Sequence, residues 1–82
     1  MDISMYVPPT QEQFLQILTD LQIDNASASR YAGMSRARSI RRYLPGGDRD
    51  VPFSILQSIV VGATDGRVVL SPEKWRDQLE SR

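Results

Sequence analysis

The chain contains neither cysteine nor histidine. Their absence removes disulfides, thiolate nucleophiles, imidazole bases and the usual zinc-ligand sets in one step, so no enzyme, no cofactor and no metal are expected. Aromatic residues make up only 7% of the sequence, so the core has to be built chiefly from Leu, Ile and Val. The longest apolar run, Ile59 to Ala63, falls far short of the ~20 residues of a membrane helix. The acidic start Met1-Asp2-Ile3-Ser4 lacks the basic and apolar regions of a secretion signal, which points to the cytoplasm and away from a membrane. With 82 residues and 9.3 kDa there is room for one domain, 1–82, and for a thin core that a partner subunit would help to stabilise.

Neither sign of charge is in excess, since ten Lys and Arg balance ten Asp and Glu. The balance conceals a segregation. Between Asn25 and Gly47 lie Arg30, Arg36, Arg38, Arg41 and Arg42 and no acid, and the carboxylates flank that stretch on both sides. One face of a neutral protein can therefore be strongly positive.

The periodicity predicts a mostly α fold, a four- to five-helix bundle. Residues 1–9, ending in Val7-Pro8-Pro9, read as an extended arm. Thr10 and Gln13 form a capping-box pattern for a first helix from about Gln11 to Leu21, with Phe14, Leu15, Ile17, Leu18 and Leu21 at helical spacing. Asp24 and Asn25 can cap a second, short helix that Gly33 ends with a sharp turn, Met34 following as an apolar plug. Ser35 is the expected cap of a third helix, Arg36 to Leu44, with Ala37, Ile40 and Leu44 on its inner face and Pro45-Gly46-Gly47 at its end. Pro52 opens a fourth helix that carries Phe53, Leu56, Ile59 and Val60 inward and that Gly62 closes. Asp65-Gly66 is a turn, Arg67 to Leu70 one brief strand or extended segment, and Ser71-Pro72 the start of a last helix whose Trp75 and Leu79 form an apolar edge. That edge either completes the core or, as part of a C-terminal element spanning 65–82, faces a second subunit.

Residues 24–44 have the skeleton of a helix-turn-helix: a short helix with small residues Ala28 and Ala32, a glycine turn, and an arginine-rich helix. At ~100° per residue the face opposite Ala37, Ile40 and Leu44 displays Ser35, Arg38, Ser39 and Arg42. Arginine can bond bidentately to guanine in the major groove, so Arg38 and Arg42 are candidate base contacts, with Ser35 and Ser39 between them. Arg36, Arg41 and Arg30 are candidate phosphate contacts, and Tyr43 can serve either role or pack.

The stretch Asn25 to Leu56, NASASRYAGMSRARSIRRYLPGGDRDVPFSIL, resembles the helix-turn-helix of Cro/C1-type phage repressors, and is most similar to the small regulators associated with anti-CRISPR operons. The resemblance covers a little under half of the chain. It implies that the third helix enters the major groove of double-stranded DNA through Ser35, Arg36, Arg38, Ser39 and Arg42. It also implies a homodimer that represses its own operon in a phage or mobile element. The family's branched apolar residue six positions after the turn glycine is Ser39 here, with Ile40 one later, an offset that a turn longer by one residue absorbs.

Other features carry less. Gly46-Gly47 lacks the lysine and spacing of a phosphate-binding loop and reads as a helix terminator. Asp48 and Asp50 read as loop residues rather than a metal or catalytic pair. A protein-binding module on the same scaffold, such as an anti-CRISPR inhibitor or an antitoxin, is the rival reading. RNA binding is a third, weakened by the scarcity of aromatics beyond Tyr31 and Tyr43.

Overall fold

Helix α1 (Gln11–Asp20) begins where the capping box places it. The Gln13 N–H donates to Thr10 Oγ1 at 3.1 Å and the Thr10 N–H donates to Gln13 Oε1 at 2.9 Å, pairing two amides that a helix start otherwise leaves open. Phe14, Ile17 and Leu18 are buried beneath it, whereas Leu15, expected on the same apolar face, remains 45% exposed. The computed structural model describes residues 6–80, except for the side chain of Ala37.

Helix α2 (Asn25–Tyr31) is capped by Asp24, whose carboxylate accepts from the Ser27 N–H at 2.8 Å. The hydrogen bonds from Ser27, with a smaller contribution from the Arg30 charge, hold this carboxyl below the usual range. Its other end has the paired bonds of a glycine-terminated helix. Gly33 N–H donates to the Arg30 carbonyl at 3.1 Å and Met34 N–H to the Ser29 carbonyl at 2.9 Å. This closure requires Gly33 to sit at φ +77°, where a side chain is strained.

The next element departs from the sequence reading. In place of an α-helix from Arg36 to Leu44, the chain forms a 3-10 helix over Ala37–Tyr43. Ser35 does not cap it; Arg36 occupies the cap position in extended conformation with no side-chain bond. The underside explains the change. Ile40 and Tyr43, three residues apart, are 0% and 7% exposed, and three residues per turn stack them on one edge where an α-helix would splay them by ~60°. A stretch with four arginines and no acid also has no opposite-charge pair at i,i+4 to favour the α form. Ala37, assigned to the inner face, has its side chain outside the described residues.

Helix α3 (Phe53–Ala63) buries Leu56, Ile59 and Val60 as its spacing requires. It does not stop at Gly62. It runs one residue further to the Thr64 cap, and Gly62 serves a different purpose: a Cβ there would sit 2.7 Å from Cγ of Tyr31, so the missing side chain lets α2 lie against α3. Asp65 (φ +52°) and Gly66 (φ +78°) then make the expected turn.

No strand is present among the described residues, so of the two forms expected over 67–70, brief strand or extended segment, the chain takes the second, with side-chain partners. The Leu70 N–H donates to Gln57 Oε1 at 2.7 Å and Gln57 Nε2 donates back to the Leu70 carbonyl at 2.9 Å. On its other side, Ser71 N–H donates to Gln78 Oε1 at 2.7 Å and Gln78 Nε2 to the Val69 carbonyl at 3.0 Å. Two glutamine amides thus take the places of two neighbouring strands.

A turn over 72–74 delays the last helix, α4 (Trp75–Glu80), past the start expected at Ser71-Pro72. Trp75 is 5% exposed and its indole N–H donates to the Val7 carbonyl at 3.0 Å, so it completes the core of its own chain. Leu79 packs partly buried against that core. The described part of the arm is docked as well. Pro9 is buried, Tyr6 meets Phe53 edge-on at 5.4 Å, and the Tyr6 hydroxyl donates to the Val51 carbonyl at 2.8 Å. Burial, then the nearby Asp50 charge, pushes the Tyr6 phenol well above its ordinary value. Residues 1–5 of the arm, and 81–82 of the C-terminal element, lie outside the described residues.

Candidate nucleic-acid interface

The arginines are positioned by the two elements on either side of the Gly33 turn. Arg36, Arg38, Arg41 and Arg42 are exposed, and none is held by an ion pair or side-chain hydrogen bond among the described residues. Ser35 is exposed beside them and Ser39 is half-buried. Arg30, on α2, is exposed but its Nη2 donates to Ser27 Oγ at 3.3 Å. Tyr43 is not part of this surface. Its ring lies in the core, edge-on to Phe14 at 6.3 Å, which removes it from the candidate contacts.

The change of helix type rearranges what remains. With three residues per turn, side chains at i and i+3 eclipse, so Arg38 and Arg41 share one edge while Ser39 and Arg42 share the next, ~120° around. The pair assigned to base reading, Arg38 with Arg42, is therefore not brought onto one line. Instead Arg38 stands in register with Arg41, the residue assigned to phosphate. Met34, Ser35 and Arg36 lie between Gly33 and the 3-10 helix, and Ile40 enters the core at 0% exposure.

Arg49, exposed in the loop between two acids and beyond Pro45-Gly46-Gly47, is brought by its backbone to the end of the 3-10 helix. Its backbone N–H donates to the Arg42 carbonyl at 3.1 Å, which folds the loop back beneath the end of the 3-10 helix. Gly47 makes that fold-back possible. A Cβ there would lie 2.6 Å from the Arg41 carbonyl oxygen and closer still to that of Arg42. Gln11 Nε2 donates to the Gly47 carbonyl at 2.7 Å, tying the loop to α1. Gly47→Ala is accordingly expected to lower the unfolding free energy by about 1–3 kcal/mol, read as a lower urea midpoint, because the methyl group meets backbone rather than a movable side chain. An unchanged midpoint would mean that the loop is not anchored there.

Asp48 and Asp50 are exposed in the same loop, and among the described residues no group of three or more acids could hold a metal ion. A second surface lies elsewhere. A groove of about 500 Å³ between α1 and α4 is lined by Gln13, Gln16, Ile17, Trp75, Arg76 and Leu79, with the Arg76 guanidinium 4.6 Å over the Trp75 ring. No helix is long and apolar enough to cross a membrane among the described residues. The sequence matches no protein-family model, and comparison with curated proteins and with solved structures finds no match.

Proposed function

We propose that this protein binds double-stranded DNA and acts in the cytoplasm as a small homodimeric transcriptional repressor, without catalytic activity of its own. The observation that carries the reading is a run of exposed arginines, free of carboxylate partners among the described residues, on an element whose opposite edge is locked into the core by Ile40 and Tyr43. Such guanidinium groups are available to phosphate and base acceptors without first breaking internal bonds. The glycine-closed turn from α2 into this element supports the reading further, since it is the hinge a helix-turn-helix needs. One short reading element spans few base pairs, so a two-fold pair with half-sites ~34 Å apart supplies the selectivity that one copy lacks.

The experiment is a duplex-DNA titration across a salt series, combined with selection from random duplexes. Expected is binding that weakens linearly in log–log form, with a slope of about −0.9 per phosphate contacted, and a palindromic selected site. The rival reading, a protein-binding module, is favoured by the amphipathic groove between α1 and α4. It calls for no appreciable duplex affinity at any salt, and that outcome would reject the DNA reading.

A further inference from the structure

The geometry points to a grip on DNA that straddles a groove and holds its two bordering backbones, with Arg38 and Arg41 on one strand and Arg42 on the other. This inference rests on the DNA reading and concerns how the same surface works. In a 3-10 helix three edges lie ~120° apart. One edge, Ile40 and Tyr43, is buried, so the outward direction bisects the other two. Arg38 and Arg41 then splay ~60° to one side of that direction, and Arg42 splays ~60° to the other. Long side chains diverging in this way address the two walls of a groove rather than a common point on its floor.

Arg38 and Arg41 stand ~6 Å apart along the axis, three residues at ~2.0 Å each. That spacing gives one strand two cations in line. The Arg42 carbonyl accepts from the Arg49 backbone N–H, so the loop is anchored at the Arg42 end of the element. The residue facing straight outward is none of the arginines, and the neighbouring Ser39 is half-buried. Base edges beneath the element are thus left without a bidentate donor.

The angular arrangement is fixed. Winding the segment into an α-helix would rotate Tyr43 by ~60° relative to Ile40 and withdraw its ring from Phe14, and would also pull the Arg42 carbonyl from the Arg49 N–H that holds it. Selectivity in such a grip comes from the shape and deformability of the duplex and from the spacing of two copies, not from hydrogen bonds to bases under this element.

The test measures binding of the wild type and of Arg38→Ala, Arg41→Ala and Arg42→Ala to two duplexes of equal length and unrelated sequence, each over a salt series. All three positions are exposed, so the variants keep the fold, which circular dichroism checks. Expected is that each substitution makes the salt slope shallower by about 0.9 per copy bound, about 1.8 for the homodimer, and lowers affinity by the same factor on both duplexes. Loss confined to one duplex with the slope unchanged would overturn the straddling grip in favour of base reading, leaving the DNA reading intact. A slope that responds to Arg38 and Arg41 but not to Arg42 would overturn it too, since one edge would then carry the binding. Failure of the wild type to bind either duplex at low salt would instead remove the DNA reading on which the inference stands.

Discussion

Phe14→Ala is expected to destabilise the protein by about 3–5 kcal/mol, the range for emptying a buried phenylalanine site. At ~0.05–0.15 kcal/mol per residue a domain of this length holds a total of only ~4–12 kcal/mol, so the variant should be largely unfolded at modest urea concentrations. The size of the effect follows from position. Phe14 is 0% exposed and its ring meets Tyr43 at 6.3 Å and 85°, an edge-to-face pair that joins α1 to the underside of the 3-10 helix. Removing it both opens a cavity and releases the residue that sets the three-residue period above. Phe14→Leu keeps most of the volume and should cost roughly 1–2 kcal/mol, consistent with a conserved apolar fill. Equilibrium unfolding of the two variants side by side checks the claim; an alanine variant as stable as the leucine one would show that position 14 does not bear on the core.

What could be read from the sequence, and what could not, divides along sequence separation. Thr10 with Gln13, Asp24 with Ser27, Gly33 with Arg30 and Met34 with Ser29 are interactions within five residues, so the chain states them locally and these helix ends fall where expected. The fate of Arg36 to Leu44 was not local. Its apolar residues fit an α-helix on spacing alone, and the choice of a tighter coil depends on burying Tyr43 against Phe14, 29 positions earlier by their numbers. Gly62 misled for a related reason: a glycine near a helix end ordinarily marks the stop, whereas here the demand for a missing side chain comes from Tyr31 on another helix.

The candidate site divides in the same way. That the arginines form one exposed group followed from charge, because a cluster without acid neighbours has no reason to be inside. Which of them share an edge did not follow, since the angle between side chains is inherited from the buried face of the element. Trp75 illustrates the converse. The sequence left it between core and subunit contact, and its bond to Val7, 68 residues away, places it in the core.

Gln57→Leu is expected to cost about 2–4 kcal/mol, a large effect for an uncharged residue. Leucine matches the length of the glutamine stem but offers no amide, so the Leu70 N–H and carbonyl lose both partners at once. Leu70 is 4% exposed, and a buried backbone group left without a hydrogen bond costs about 1–3 kcal/mol. A helix that replaced the segment would satisfy these groups internally, but β-branched Val68 and Val69 disfavour it, which is why the extended form depends on the glutamine. Gln78→Leu removes the matching bonds to Val69 and Ser71 on the more exposed side and should cost less, because water can take over the Val69 carbonyl. Amide hydrogen exchange separates this from a general loss of packing: in Gln57→Leu the Leu70 amide should lose protection selectively while the amides of α1 keep theirs until global unfolding. Unchanged protection at Leu70 would mean that the segment is held by its apolar contacts alone and that the two amides do not act as substitute strands.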